Sequence, residues 1–242
     1  MTTTTTLTMP FTEAVGAFNA LSPHMRKEAG TLTITNMYVT SEGTLLATDR
    51  YTVGRYVPTY DTHDFLRPRM VTSDGFDGAI LPADAVKFVA KMRATQLQGG
   101  KFAAQHHAVR LVFDSSEGLV VRVELLSGVN WERYDDAESN DPDVVQSARF
   151  ELVAGKFPPV ERLFPDSTAE FGATTLSLKT EFLARVGTAV KWLGGRSDTA
   201  RFQFTKTDNP NKPGPVYVTV FADSNGVQGK FDMLIQPNLL LR

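Results

Sequence analysis

The chain contains no cysteine. Disulfides and thiolate metal sites are therefore excluded, and a reducing compartment is the expected setting. No apolar run approaches the roughly 20 residues that a membrane-crossing helix needs. Residues 1–8 are a threonine run with neither a basic stretch nor a long apolar one, so no secretory leader is expected there. Charge of one sign is also lacking. The formal net charge is −2 over 242 residues, which argues against coating nucleic acid by bulk charge and leaves room for basic residues gathered on one surface. Catalytic signatures are missing too: there is no nucleophile elbow, no phosphate-binding glycine loop and no zinc-protease motif. His106 and His107 are adjacent, so on a strand they face opposite ways and cannot converge on one ligand. No enzyme activity, catalytic residue, cofactor or metal is expected.

What is present is a repeated pattern. The threonines favour an extended start. Phe11, Ala14, Val15, Phe18 and Leu21 then recur at helical spacing behind Pro10, and Pro23 marks the end. Strands are expected over 31–40, 43–50 and 51–58, and a loop over 59–76. A second copy follows: a short strand at 78–82, a helix over 83–93 with Asp84, Lys87 and Lys91 as a polar stripe, and strands at 108–115, 118–127 and 148–158. Between the last two lies an acidic segment, 128–147, holding Glu132, Asp135, Asp136, Glu138, Asp141 and Asp143, which reads as a solvated loop. Its spacing lacks the glycine-bearing calcium-loop pattern. The third copy has a strand at 174–179, a helix over 180–193 stopped by Gly194-Gly195, and strands at 200–206, 215–224 and 227–237.

The expected class is α+β: three strand–helix–three-strand units with helices on one face of antiparallel sheets. Such units cannot bury their apolar faces alone and must pack side by side. Residues 1–165 would hold two units as one domain, and 166–242 the third unit with its tail. One stretch breaks its own pattern. In "LLATDRYTVGRYVP" (45–58), Thr48-Asp49-Arg50 interrupts an apolar run. Asp49 and Arg50 either cap a strand end or pair on the surface, or else they belong to a binding wall.

Four stretches in order resemble the bacterial β sliding clamp family: "LLATDRY", "AILPADAVKFVAKM", "VAGKFPPVERLFP" and "FDMLIQPNLLLR". The resemblance covers most of the chain and implies a DNA-clamp fold. It implies a replication processivity factor that encircles double-stranded DNA as a homo-oligomeric ring, without sequence preference. Such a ring tethers DNA polymerase and other clamp-binding proteins, is served by a clamp loader, and works in the bacterial cytoplasm, here in a shortened phage or actinobacterial form. It also implies a peptide pocket. By motif this pocket comprises Thr48, Tyr51 and Val53, then Pro158, Arg162 and Leu163, then Leu239, Leu240 and Leu241. Where the family usually has arginine, this chain has Thr52, so a basic rim contact differs. The resemblance further implies that Arg26, Lys27, Lys87, Lys91, Arg93, Arg185, Lys191 and Arg196 face DNA phosphates. The first helix carries no basic residue. A clamp domain has two units and a ring twelve, so three units per chain would need four chains; a trimer or dimer is also open. A non-encircling adaptor that keeps only the pocket is the competing expectation.

Overall fold

The computed structural model describes residues 4–26, 33–58, 68–93, 104–114, 119–131, 142–165, 178–193, 199–205, 214–224 and 227–236. The chain begins with β1 (Thr4–Pro10), which runs directly into α1 (Phe11–Leu21), with Pro10 in extended geometry ahead of the first helical residue. A single 3-10 turn, Ser22–His24, follows. Next come β2 (Met37–Thr40), β3 (Leu45–Thr48), β4 (Thr52–Pro58), β5 (Arg69–Val71) and β6 (Gly78–Leu81). The second helix is α2 (Ala83–Ala90), followed by β7 (His107–Asp114), β8 (Val120–Ser127) and β9 (Asp143–Glu151). The last part holds α3 (Thr180–Leu193), β10 (Arg201–Phe204), β11 (Val216–Ser224) and β12 (Val227–Ile235).

The strands form two antiparallel sheets, in the orders β5-β1-β7-β8-β9 and β10-β11-β12-β4-β3-β2-β6. The first two units exchange their opening strands. β1 pairs with β7 of the second unit, with Leu7 opposite Leu111, and β6 pairs with β2 of the first, with Tyr38 opposite Ile80. Neither unit thus completes a sheet alone. The third unit extends the larger sheet, because β12 pairs with β4 over seven residues.

The helices lie on the inner faces, and α1 is the central one, packed against both α2 and α3. Phe11, Ala14, Val15, Ala17, Phe18, Ala20 and Leu21 are all buried, and among α1 residues only Thr12 is fully exposed. A helix apolar on every side belongs in a core. This explains why α1 has no basic residue: it presents almost no surface to anything outside the protein. Gly16 permits the close approach of α3, since a Cβ there would stand 2.8 Å from the Leu193 side chain and 3.0 Å from the Trp192 carbonyl.

Several sequence expectations need correction. The strand expected over 31–40 is confined to Met37–Thr40 among the described residues. Ile34 accepts a hydrogen bond from the Arg26 amide, and the Asn36 side chain accepts one from the Ala83 amide at the head of α2, so this stretch is a tertiary link. The expected loop 59–76 contains β5, paired with β1. Of the acidic segment expected as a loop over 128–147, residues 132–141 lie outside the described residues. Residues 143–147 form the first half of β9, and Val129 and Trp131 are buried with Ala108 and Leu126. The Trp131 indole N–H donates to the Gln105 carbonyl at 3.0 Å. Helix α2 stops at Ala90, where the Arg93 guanidinium donates to the Ala90 and Met92 carbonyls. Most of the strand expected at 174–179 lies outside the described residues; Leu178 and Lys179 are not in a strand.

Candidate partner-binding site and helix surface

The segment 152–165 leaves β9 and crosses the outer face of the larger sheet. There a second apolar cluster forms from Leu46, Val53, Ile80, Phe157, Val160, Phe164, Tyr217 and Leu234. Phe157 stacks on Tyr38 with a ring separation of 5.2 Å, and Phe164 meets Tyr217 edge-on at 6.3 Å. The Arg55 guanidinium lies 4.0 Å above the Phe164 ring and pairs with buried Asp232 at 2.8 Å. Asp232 also accepts from Thr219 and pairs with Lys230 at 3.3 Å. First unit, crossing segment and third unit therefore meet at the β4–β12 seam.

At one end of that seam the polar break in residues 45–58 takes its place. β3 and β4 form a hairpin with Asp49, Arg50 and Tyr51 as its turn, and Arg50 has a positive φ of 80°. The Asp49 carboxylate accepts from the Tyr51 and Thr52 amides at 3.0 and 2.8 Å and from the Thr52 hydroxyl. The Thr48 hydroxyl donates to the Thr52 carbonyl. Asp49 thus caps the turn. It also pairs with Arg185 of α3 at 2.6 Å, and the same guanidinium donates to the Thr52 hydroxyl. Burial alone would raise the Asp49 carboxyl. The Thr52 amide, Arg185 and the Tyr51 amide outweigh it and hold the group below the usual carboxylate range. His24 completes the network through Nδ1, 3.0 Å from the Thr52 hydroxyl; burial, then the nearby Arg185, pushes its pKa down to about 3.

Of the motif-derived pocket residues, Val53 lies inside the seam cluster, Tyr51 beside it is 63% exposed, and Leu163, next to Phe164, is 52% exposed. Thr48 is buried and committed to its own hairpin. Pro158 and Arg162 line a cavity of about 780 Å³ on the other flank of the crossing segment. Leu239, Leu240 and Leu241 lie outside the described residues. The structure adds Phe164, Tyr217 and Leu234, which the motif reading omitted. A signal for Leu234 existed: in "FDMLIQP" the alternation puts Phe231, Met233 and Ile235 on the helix side and Leu234 on the other. Its register partner is Val53, and the Gln236 amide donates to the Tyr51 carbonyl.

Among the basic candidates, Lys87 is exposed and pairs with Asp84 one turn back; Lys91, Arg93 and Lys191 are exposed and Arg26 partly so. Lys27 and Arg196 lie outside the described residues. Arg185 is a correction. Its side chain is 18% exposed and is held by Asp49, Thr52 and the Phe182 ring, so it is a structural cation and not a free phosphate contact.

No protein-family model matches the sequence, and no curated protein matches it. Solved structures do. The Helicobacter pylori β clamp in complex with 3,4-difluorobenzamide superposes with a TM-score of 0.58 at 11% identity, over 98% of this chain and 66% of that one. The same clamp with diflunisal gives 0.57 at 11% identity, over 97% and 66%. The chain has the α+β fold of bacterial sliding clamps, and at this identity the likeness is one of fold. It spans about two thirds of the length of those clamp chains.

Proposed function

We propose that this chain is a non-catalytic sliding-clamp subunit that tethers DNA polymerase and other clamp-binding proteins to duplex DNA. In this reading residues 1–165 form one clamp domain and 166–242 a further unit, and copies join into a ring loaded onto DNA in a bacterial cytoplasm, in a host or phage replication system. The observation that carries it is the β4–β12 seam. A pocket floor needs apolar side chains beside a few fixed polar groups. Val53, Tyr217 and Leu234 supply the first, and the Asp49–Thr52 turn supplies the second. Tyr51 and Leu163 are the exposed apolar groups a partner peptide would cover. Ring closure is supported by the terminal strands: β9 ends one sheet with Val144 and Val145 exposed, and β10 ends the other with Phe202 exposed. Unpaired, apolar strand edges are normally covered.

One observation favours the non-encircling adaptor. The open side of α3 shows Leu183 and Trp192, and near its start Lys179 pairs with Glu181, which leaves Lys191 as its exposed cation without a paired acid among the ion pairs described. Light scattering on a sizing column separates the two readings. A trimer or tetramer stable to dilution, retained on circular DNA and released when the circle is cut, establishes the ring. A monomer at high concentration removes it.

A further inference from the structure

A cleft on the far side of the crossing segment from Tyr51 runs along β6, the terminal strand of the larger sheet, and shares Leu46, Ile80, Phe157 and Val160 with the seam cluster. It consists of the cavity of about 780 Å³ and a second of about 180 Å³, which share Gly78, Ala79, Leu119 and Leu152. The larger volume is within the range of ligand clefts. Its middle is aliphatic, and Leu119, just ahead of β8, is 64% exposed there. The β6 edge already accepts one strand-like bond, from the Val153 amide to the Ile80 carbonyl at 3.0 Å. In an antiparallel strand the N–H and C=O of one residue point to the same side, so Ile80 turns its backbone into this cleft. The charged groups are unevenly shared. Asp74 and Asp114 line the smaller cavity, which makes it the acidic end, while Asp77, Lys156, Glu161 and Arg162 line the larger. The Tyr38 hydroxyl, which donates to the Asp77 carbonyl, reports that environment: burial, then Asp77 and Glu161, raise its pKa.

We propose that this cleft docks an extended, lysine- or arginine-bearing segment of a partner protein, lying beside β6 and the Leu152–Val153 backbone bonded to it, with its apolar side chains over Leu119 and Leu152 and its basic residue at Asp74 and Asp77. Alternate residues of an extended peptide point to one side, so apolar–basic alternation satisfies the aliphatic floor and the acidic end together. The site needs neither the exposed seam residues Tyr51 and Leu163 nor a ring. The probe is a capped hexapeptide alternating valine and lysine, titrated into the full chain by calorimetry and mapped by amide chemical shifts. Binding is expected to shift Gly78–Leu81. It should weaken about tenfold in Leu119→Lys and in Asp74→Asn/Asp77→Asn, a loss of about 1.4 kcal/mol. It should be unchanged in Leu163→Ala, which disturbs only the seam. Leu119 and both aspartates are exposed, so these variants keep the fold. An alternating valine–glutamate peptide should bind at least tenfold more weakly. The proposal is overturned by absent binding, by equal affinity for the glutamate peptide, or by shifts centred on Tyr51 and Val53.

Discussion

Glu13 is a carboxyl in the wrong place for a charge. It sits in the first turn of α1, fully buried, with Oε1 accepting from the Tyr56 hydroxyl at 2.5 Å and Oε2 without a hydrogen-bond partner. Burial pushes its pKa from 4.5 up to about 8, against the smaller opposing effect of Tyr56. The folded protein therefore holds Glu13 protonated at neutral pH, while the unfolded chain releases the proton above 4.5. Stability is complete below 4.5 and falls as pH rises through the window from 4.5 to 8. At 1.36 kcal/mol per pKa unit, the loss across that window is on the order of 5 kcal/mol. Glu13→Gln removes the titration and keeps the acceptor for Tyr56, but buries an unpartnered amide N–H₂ at a cost of about 1–3 kcal/mol. The variant should therefore be less stable than the parent near pH 5 and more stable near pH 8. Urea unfolding followed by tryptophan fluorescence at several pH values reads the difference directly. A difference between parent and variant that does not change with pH would refute the reasoning.

His24 carries the opposite demand. Its pKa is lowered from 6.5 to about 3, so it contributes stability that is present above 6.5 and lost as pH falls through that window; His24→Gln should flatten the acid limb of the same unfolding series. Arg185→Met leaves the Asp49 carboxylate without its cation and should cost about 3 kcal/mol, most of which returns in Asp49→Asn/Arg185→Met, read by urea midpoints. If α2 faces DNA as proposed, Lys87→Gln/Lys91→Gln should flatten the salt dependence of binding to a short linear duplex without moving the unfolding midpoint, because both side chains are exposed. Leu163→Ala should weaken a polymerase-derived clamp peptide while leaving the fold intact, and unchanged affinity in a titration would count against the seam pocket.

Periodicity made much of the fold legible. The spacing of Phe182, Leu183, Val186, Val190 and Leu193 marks α3 with both boundaries, although Leu183 is exposed, and the alternation in 215–224 and 227–237 marks β11 and β12. Local composition misled where tertiary pairing decides. Three residues, Arg69–Val71, form a strand only because β1 offers them an edge, and Asp143–Ser147 form one because β8 does; neither has an alternation that stands out from its polar surroundings. The exchange of β1 and β6 is likewise invisible to a reading that looks for strands pairing within their own unit.

The same limit explains what went unseen at the candidate site. Thr48-Asp49-Arg50 suggested either a cap or a binding wall, and the two are not exclusive: Asp49 fixes the turn that brings Tyr51 and Val53 to the seam. The cation that answers Asp49 is not visible in the sequence, because Arg185 is 136 positions away on a helix whose basic residues suggest a surface for phosphate. A lysine or arginine on an amphipathic helix declares its charge and not its direction. The apolar run of α1 was the better guide. A helix with no charged face other than one buried carboxyl has to be covered on both flanks, and α2 and α3 are the covers. The third unit is thus bound into the core of the first through α1, the β4–β12 ladder and the Asp49–Arg185 and Arg55–Asp232 pairs. Any opening of an assembly built from this chain should therefore occur between copies, at the edges of β9 and β10, before it occurs within one.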